Sequence, residues 1–182
     1  MMIALNKETK QIVGIIVKTL GIYIILSVFF YGYIGLIDPR GSLYSSFLAK
    51  YSLVDFILTA LIIPTKAVLG WLGFHVISYN NNLSIANEKG ILIFHACLGI
   101  EVMIGYTALM LGYPGKSKFL FFVIGIFFVH LLNVIRMSLI VIAIKKDPSI
   151  ADLSHDIFNY VAYCLIICLF YFWVKFYGKG LS

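Results

Sequence analysis

Cys97, Asn133, Arg136 and His155 are the residues of this chain whose types could do chemistry together. A thiol beside a cation and a base becomes a thiolate nucleophile, and the same cation can steady the oxyanion formed when that thiolate adds to a carbonyl. Arg136 suits both tasks, because a guanidinium keeps its charge where a buried lysine sheds its proton. His155 would take the thiol proton and pass one to a leaving amine, work suited to a side chain titrating near neutrality. Asn133 lies three residues before Arg136, so the two share a helical face, and Asn133 is placed to orient the guanidinium or bond a substrate backbone. Each residue also has a plain structural role. A free cysteine packs as a small hydrophobe, an intramembrane arginine pairs with an acid such as Glu101 or snorkels, and asparagine joins helices. Cys164 and Cys168 have no comparable company and read as packing residues, while His75, His95 and His130 are weaker candidates.

The elements that must position these residues are membrane helices. Of 182 residues, 62% are hydrophobic and 12% charged, and the mean hydropathy is +1.00. That leaves too little polar surface to coat a soluble globule. A formal charge of +6 could suggest nucleic acid. The basic residues are scattered between apolar runs, however, as in headgroup anchoring, so no nucleic-acid partner is expected. The expected architecture is all-α, a single integral-membrane domain over residues 1–182 with four to six spans and a small extramembrane hairpin.

Five apolar segments define the spans. The first runs from Gln11 to Ile37 and is retained, since it ends at Asp38-Pro39-Arg40 without a small-residue cleavage pattern. The second, Tyr51–Phe74, carries Asp55, Pro64 and Lys66 and is expected to tilt, kink or fail to cross. An exposed hairpin turning at the asparagines follows over residues 76–85. The third segment, Ile91–Leu111, carries Cys97 and Glu101; the fourth, Phe119–Ile144, carries Asn133 and Arg136; the last opens near His155 and ends near Tyr177. If residues 90–97 are helical, Cys97 lies about 10 Å below Gly90 and Arg136 about 13 Å below Lys145, so their depths match. Simple hairpin connections then put the start of the Cys97 segment, the end of the Arg136 helix and the start of the His155 helix on one face. Lys116, Lys118, Lys175 and Lys179 share the other. The lysine-bearing N-terminus joins that second face only if Tyr51–Phe74 adds no net crossing.

The set His95-Ala96-Cys97-Leu98-Gly99, then Asn133-Val134-Ile135-Arg136, then His155, resembles the exosortase/archaeosortase family of multi-pass membrane cysteine transpeptidases. The resemblance covers roughly Gly90 to Tyr177, which would be the catalytic core. It implies Cys97 as nucleophile, Arg136 as catalytic cation and His155 as the third catalytic residue, with Gly99 and Asn133 in support. Leu98 stands where many members have serine. The family further implies outward-facing cleavage, in a bacterial cell membrane, of C-terminal sorting signals made of a motif, a transmembrane helix and a basic tail. The thioester at Cys97 would pass to an envelope polymer or lipid acceptor. Strand pairing by the hairpin is a route for holding an extended motif. No cofactor or metal is expected, as no tight ligand spacing occurs. The competing readings are a non-catalytic assembly factor or transporter subunit with a structural Arg136–Glu101 pair, and a metal-dependent membrane hydrolase.

Overall fold

A computed structural model describes residues 7–79, 81–86, 88, 90–146 and 150–178, leaving the side chains at 96, 145, 146, 150–156, 158 and 159 outside the described residues. Helix α1 (Lys7–Ile37) leads through a short turn to α2 (Ser46–Lys50) and α3 (Leu53–Trp71). Three strands follow, β1 (Val76–Tyr79), β2 (Asn82–Ile85) and β3 (Gly90–Leu92), then a 3-10 turn (His95–Leu98) and helices α4 (Ile100–Gly112), α5 (Lys118–Lys146) and α6 (Ile150–Tyr177). Four helical stretches are long and apolar enough to cross a membrane: Lys7–Ile37, Ser46–Trp71, Lys118–Ile144 and Tyr160–Tyr177. The chain is therefore a multi-pass helical membrane protein with a small sheet.

Local sequence explains the helix ends. The Ser52 hydroxyl caps α3 by accepting from the Asp55 amide at 3.2 Å, which satisfies one of the orphan donors of a first turn. Asp38 closes the turn after α1 by accepting from the Arg40 amide at 3.0 Å. Pro64 sits inside α3, next to Thr65, whose hydroxyl donates back to the Leu61 carbonyl.

Two cores stack along the bundle. On one side Val102, Tyr106 and Met110 of α4 pack with Val129 of α5 and Ala162, Ile166 and Trp173 of α6. On the other, Leu58, Leu61, Ile62 and Leu69 of α3 pack with Leu83 and Ile85 of β2, Leu98, and Val134, Met137, Ile140 and Val141 of α5. This second half carries the candidate residues.

Helices α1 and α4 run antiparallel. Near one end, a Cβ on Gly112 would run into Thr19, the close approach that small residues allow between membrane helices. Near the other, the Tyr31 hydroxyl donates to Glu101. Lys18 also lies within electrostatic reach of Lys118, and the Lys116 amide donates to the Tyr177 carbonyl at 2.9 Å. The N-terminal lysines, the Lys116–Lys118 turn and the end of α6 thus share one face. It follows that α2, α3 and the sheet start and finish at the opposite end of the bundle. The Leu53 amide donates to the Tyr33 hydroxyl, and α3 finds its buried partners in the second core alone.

Three expectations are corrected. Ile91–Leu111 is not one helix: residues 90–92 form β3, 95–98 a 3-10 turn, and only the 13 residues of α4 are α-helical. An apolar run by itself does not distinguish buried strand from helix. Here pairing with β2 draws Gly90–Leu92 into the sheet, and Gly99, at φ +68°, breaks the chain direction before α4 begins. Ile93 and Leu98 turn inward and are buried in the second core, while Leu92 and Phe94 between and beside them stay exposed. The hairpin is not exposed on both faces, since Leu83 and Ile85 are buried against α3 and α5; such a side chain contributes about 1.5–3 kcal/mol relative to exposure. His155 lies inside α6, which begins at Ile150, instead of opening it.

Candidate active site

Cys97 sits on the 3-10 turn, half-buried, with its amide donating to the Phe94 carbonyl at 2.9 Å. Its turn packs against α3, α4 and α5. Below it, Gly99 takes a left-handed backbone conformation that L side chains rarely adopt. A Cβ there would also collide with the Asn133 amide. The vacancy lets Asn133, itself buried, donate from Nδ2 to the Leu98 carbonyl at 2.9 Å. This single bond ties α5 to the turn that holds Cys97, and it explains the Cys-x-Gly and Asn-x-x-Arg spacings together: the glycine makes room for the asparagine, and the asparagine sets the register of Arg136.

Arg136, one turn beyond Asn133, is only 2% exposed. It lies within electrostatic reach of Cys97. Among the described residues its Nε and Nη2 atoms have no hydrogen-bond partner. The nearby buried hydroxyl, Ser138, donates to the Val134 carbonyl of its own helix at 2.8 Å. Buried polar atoms are otherwise almost always paired. Two unfilled donors within electrostatic reach of a thiol are an arrangement that an incoming oxygen would complete.

Glu101 is not the partner of Arg136. It is exposed on the α1 side of α4 and accepts from Tyr31, and among the described residues the ion pair found is the exposed Arg40–Asp38 contact. The first turn of α4 carries Glu101 towards α1, away from the α5 face on which Arg136 lies.

His155 can be placed by backbone level. Measured from the Lys116–Tyr177 contact, Arg136 lies about 27 Å along α5 from its start and His155 about 33 Å along α6 from its end, one helical turn apart. Its side chain is outside the described residues. His95 and His75 are exposed, and His130 lies about 9 Å nearer the start of α5 than Arg136. Cys164 and Cys168 are exposed on α6, remote in sequence from the turn. What the sequence could not signal is the Leu98 carbonyl, a backbone atom whose role depends on the turn.

Gly99→Ala is expected to destabilise the protein by about 1–3 kcal/mol, from left-handed strain together with the displaced Asn133. In a double-mutant cycle, Asn133→Ala removes the clash, so Gly99→Ala should cost measurably less in that background; additive losses of melting temperature would show that the two do not touch.

A family model described as transmembrane exosortase matches residues 43–172. The match reaches further towards the N-terminus than the motif-bearing half, taking in α2, α3 and the hairpin. Neither a search of curated proteins nor one of solved structures finds a match. With a helical multi-pass bundle, a thiol and a buried arginine drawn together, and a family match over well beyond half of its length, the chain belongs to the transmembrane exosortase family.

Proposed function

We propose that this membrane transpeptidase-type protein is a cysteine peptidase or transpeptidase that removes C-terminal sorting signals through a thioester at Cys97. The observation that carries the reading is the buried guanidinium of Arg136, with two nitrogens unpartnered among the described residues and within electrostatic reach of the thiol. The Cys97 thiolate adds to the scissile carbonyl carbon, and the oxyanion is held by the free Nε–H and Nη2–H of Arg136. The carbon–nitrogen bond then breaks, and the leaving amine takes the proton that His155 had drawn from the thiol. Attack on the thioester by water or an acceptor nucleophile breaks the carbon–sulfur bond and returns the thiolate, with the incoming proton passing to His155. The catalytic core lies within residues 90–177.

An apolar recess of about 380 Å³ lined by Leu26, Phe29, Phe30, Tyr33, Leu53, Ile100 and Ile104 opens beside the Cys97 turn. It supports lateral approach of a substrate span, so that positioning supplies part of the rate. We assign the Cys97 face to the outside of a bacterial cell membrane. The basic residues divide nearly evenly between the faces, so this orientation rests on the chemistry of tails exposed after export. A tag inserted in the turn after Ile37 should be reached from outside intact cells; labelling only after permeabilisation would reverse the assignment.

Co-expressing the chain with a tail-bearing protein tests the function: loss of the tail, blocked by thiol alkylation, is expected. The reading of Arg136 as half of a structural pair makes a different forecast. Glu101→Gln retains an acceptor for Tyr31 and should leave tail removal within about threefold of the original, since the carboxylate does not face Arg136. Arg136→Glu combined with Glu101→Arg should stay inactive; restored activity or accumulation would favour the pair.

A further inference from the structure

The sheet has order β1-β2-β3, so β1 and β3 are its edges among the described residues. In the β2–β3 ladder Leu83 faces Ile91 and Asn82 faces Leu92, and the Ile93 amide donates to the Asn81 carbonyl at 2.8 Å. Hydrogen-bonded pairs alternate along an antiparallel ladder. The pairs Asn81–Ile93 and Leu83–Ile91 therefore exchange bonds, and the amides and carbonyls of Gly90 and Leu92 point away from the sheet. On the far edge, β1 packs beside α3, and the Lys66 ammonium donates to the Ser78 hydroxyl at 3.0 Å. Edges are commonly blunted by charge or proline; Gly90-Ile91-Leu92 contains neither, and Leu92 is 53% exposed. This edge also runs straight into the nucleophile. Two extended residues and the 3-10 turn separate Leu92 from Cys97, a path of at most roughly 13 Å, matched by about four residues of extended peptide.

We infer that the free edge of β3 takes the extended segment ahead of the scissile bond as a fourth strand, through the Gly90 and Leu92 backbone, and so delivers the carbonyl to Cys97. The inference rests on the proposed tail-cleaving function and assigns recognition to β3 instead of the β1–β2 hairpin. Recognition through main-chain bonds leaves sequence choice to alternate side chains.

The test uses the full chain carrying Cys97→Ala in lipid nanodiscs. The probe is a library of six randomised residues followed by a polyleucine span and a lysine tail. Leu92→Pro removes one outward amide at a position where an edge strand tolerates proline; Leu92→Ala keeps the amide and loses the side chain. Capture of the enriched sequences should fall at least tenfold with Leu92→Pro and stay within threefold with Leu92→Ala. In the chain without either Leu92 change, those sequences should slow hydrogen exchange of the Leu92 amide at least tenfold. Undiminished capture by Leu92→Pro, equal loss in both variants, or unchanged exchange at Leu92 would each overturn strand addition. Capture and protection without tail removal by the Cys97 enzyme would sink the cleavage reading alone, whereas tail removal with an unprotected Leu92 would sink strand addition alone.

Discussion

Cys97→Ala is expected to lower the rate of tail removal by roughly 10⁴-fold or more, the scale seen when a nucleophile acting in a concerted set is lost. The protein should accumulate in the membrane at its usual level. Cys97 is half-buried at the edge of the second core, and trimming its sulfhydryl to leave the alanine methyl removes little packing. Cys164→Ala and Cys168→Ala, on the exposed side of α6, should have no effect on rate. The measurement is the fraction of substrate that retains its tail, read alongside enzyme abundance. A Cys97→Ala chain that still trims tails would end the thiol mechanism, and a chain that disappears would recast Cys97 as structural. The unaltered enzyme should also form an adduct with substrate that hydroxylamine releases, because a thioester is cleaved by that nucleophile and an amide is not.

Arg136→Met carries the second large effect, and its two readouts should move in opposite directions. Loss of both free donors removes the oxyanion contacts, each worth about 10²–10³ in rate, so tail removal should fall by at least that factor. Arg136→Lys should fail similarly, since a lysine offers no planar fork and sheds its proton when desolvated. Stability should hold or rise. Burying a guanidinium with Nε and Nη2 unpaired is costly, and well-packed apolar replacements of buried charges are often neutral or stabilising by about 1–4 kcal/mol. A higher or equal melting temperature with activity abolished marks a residue kept for chemistry at the expense of the fold. A lower melting temperature with partial activity would mark a structural residue.

The division between what was legible beforehand and what was not follows the nature of the signals. Hydropathy is a property of short windows, so the long helices α1 and α5 could be read within a few residues of their observed ends, as could the end of α6, while the polar first turns of α6 were missed. The same windows failed at residues 91–99, where strand, turn and helix are equally apolar and only pairing with β2 decides among them. Helix periodicity put Asn133 and Arg136 on one face, and this holds. The Arg136–Glu101 pair failed because charge complementarity says nothing about which side of α4 an acid faces, and Tyr31 on α1 supplies the contact instead.

By itself the sequence determined that this chain lives in a bilayer, which residues could act as nucleophile, cation and base, and the order in which successive segments carry them. Composition and residue chemistry are local, and they survive any packing. Tertiary structure alone decided that Gly99 exists to admit Asn133, that Arg136 is buried with donors unpartnered among the described residues and within electrostatic reach of Cys97, and that Lys18 lies at the end of the bundle opposite the thiol. Those facts are distances between segments far apart in the chain, and they come into being only when helices pack.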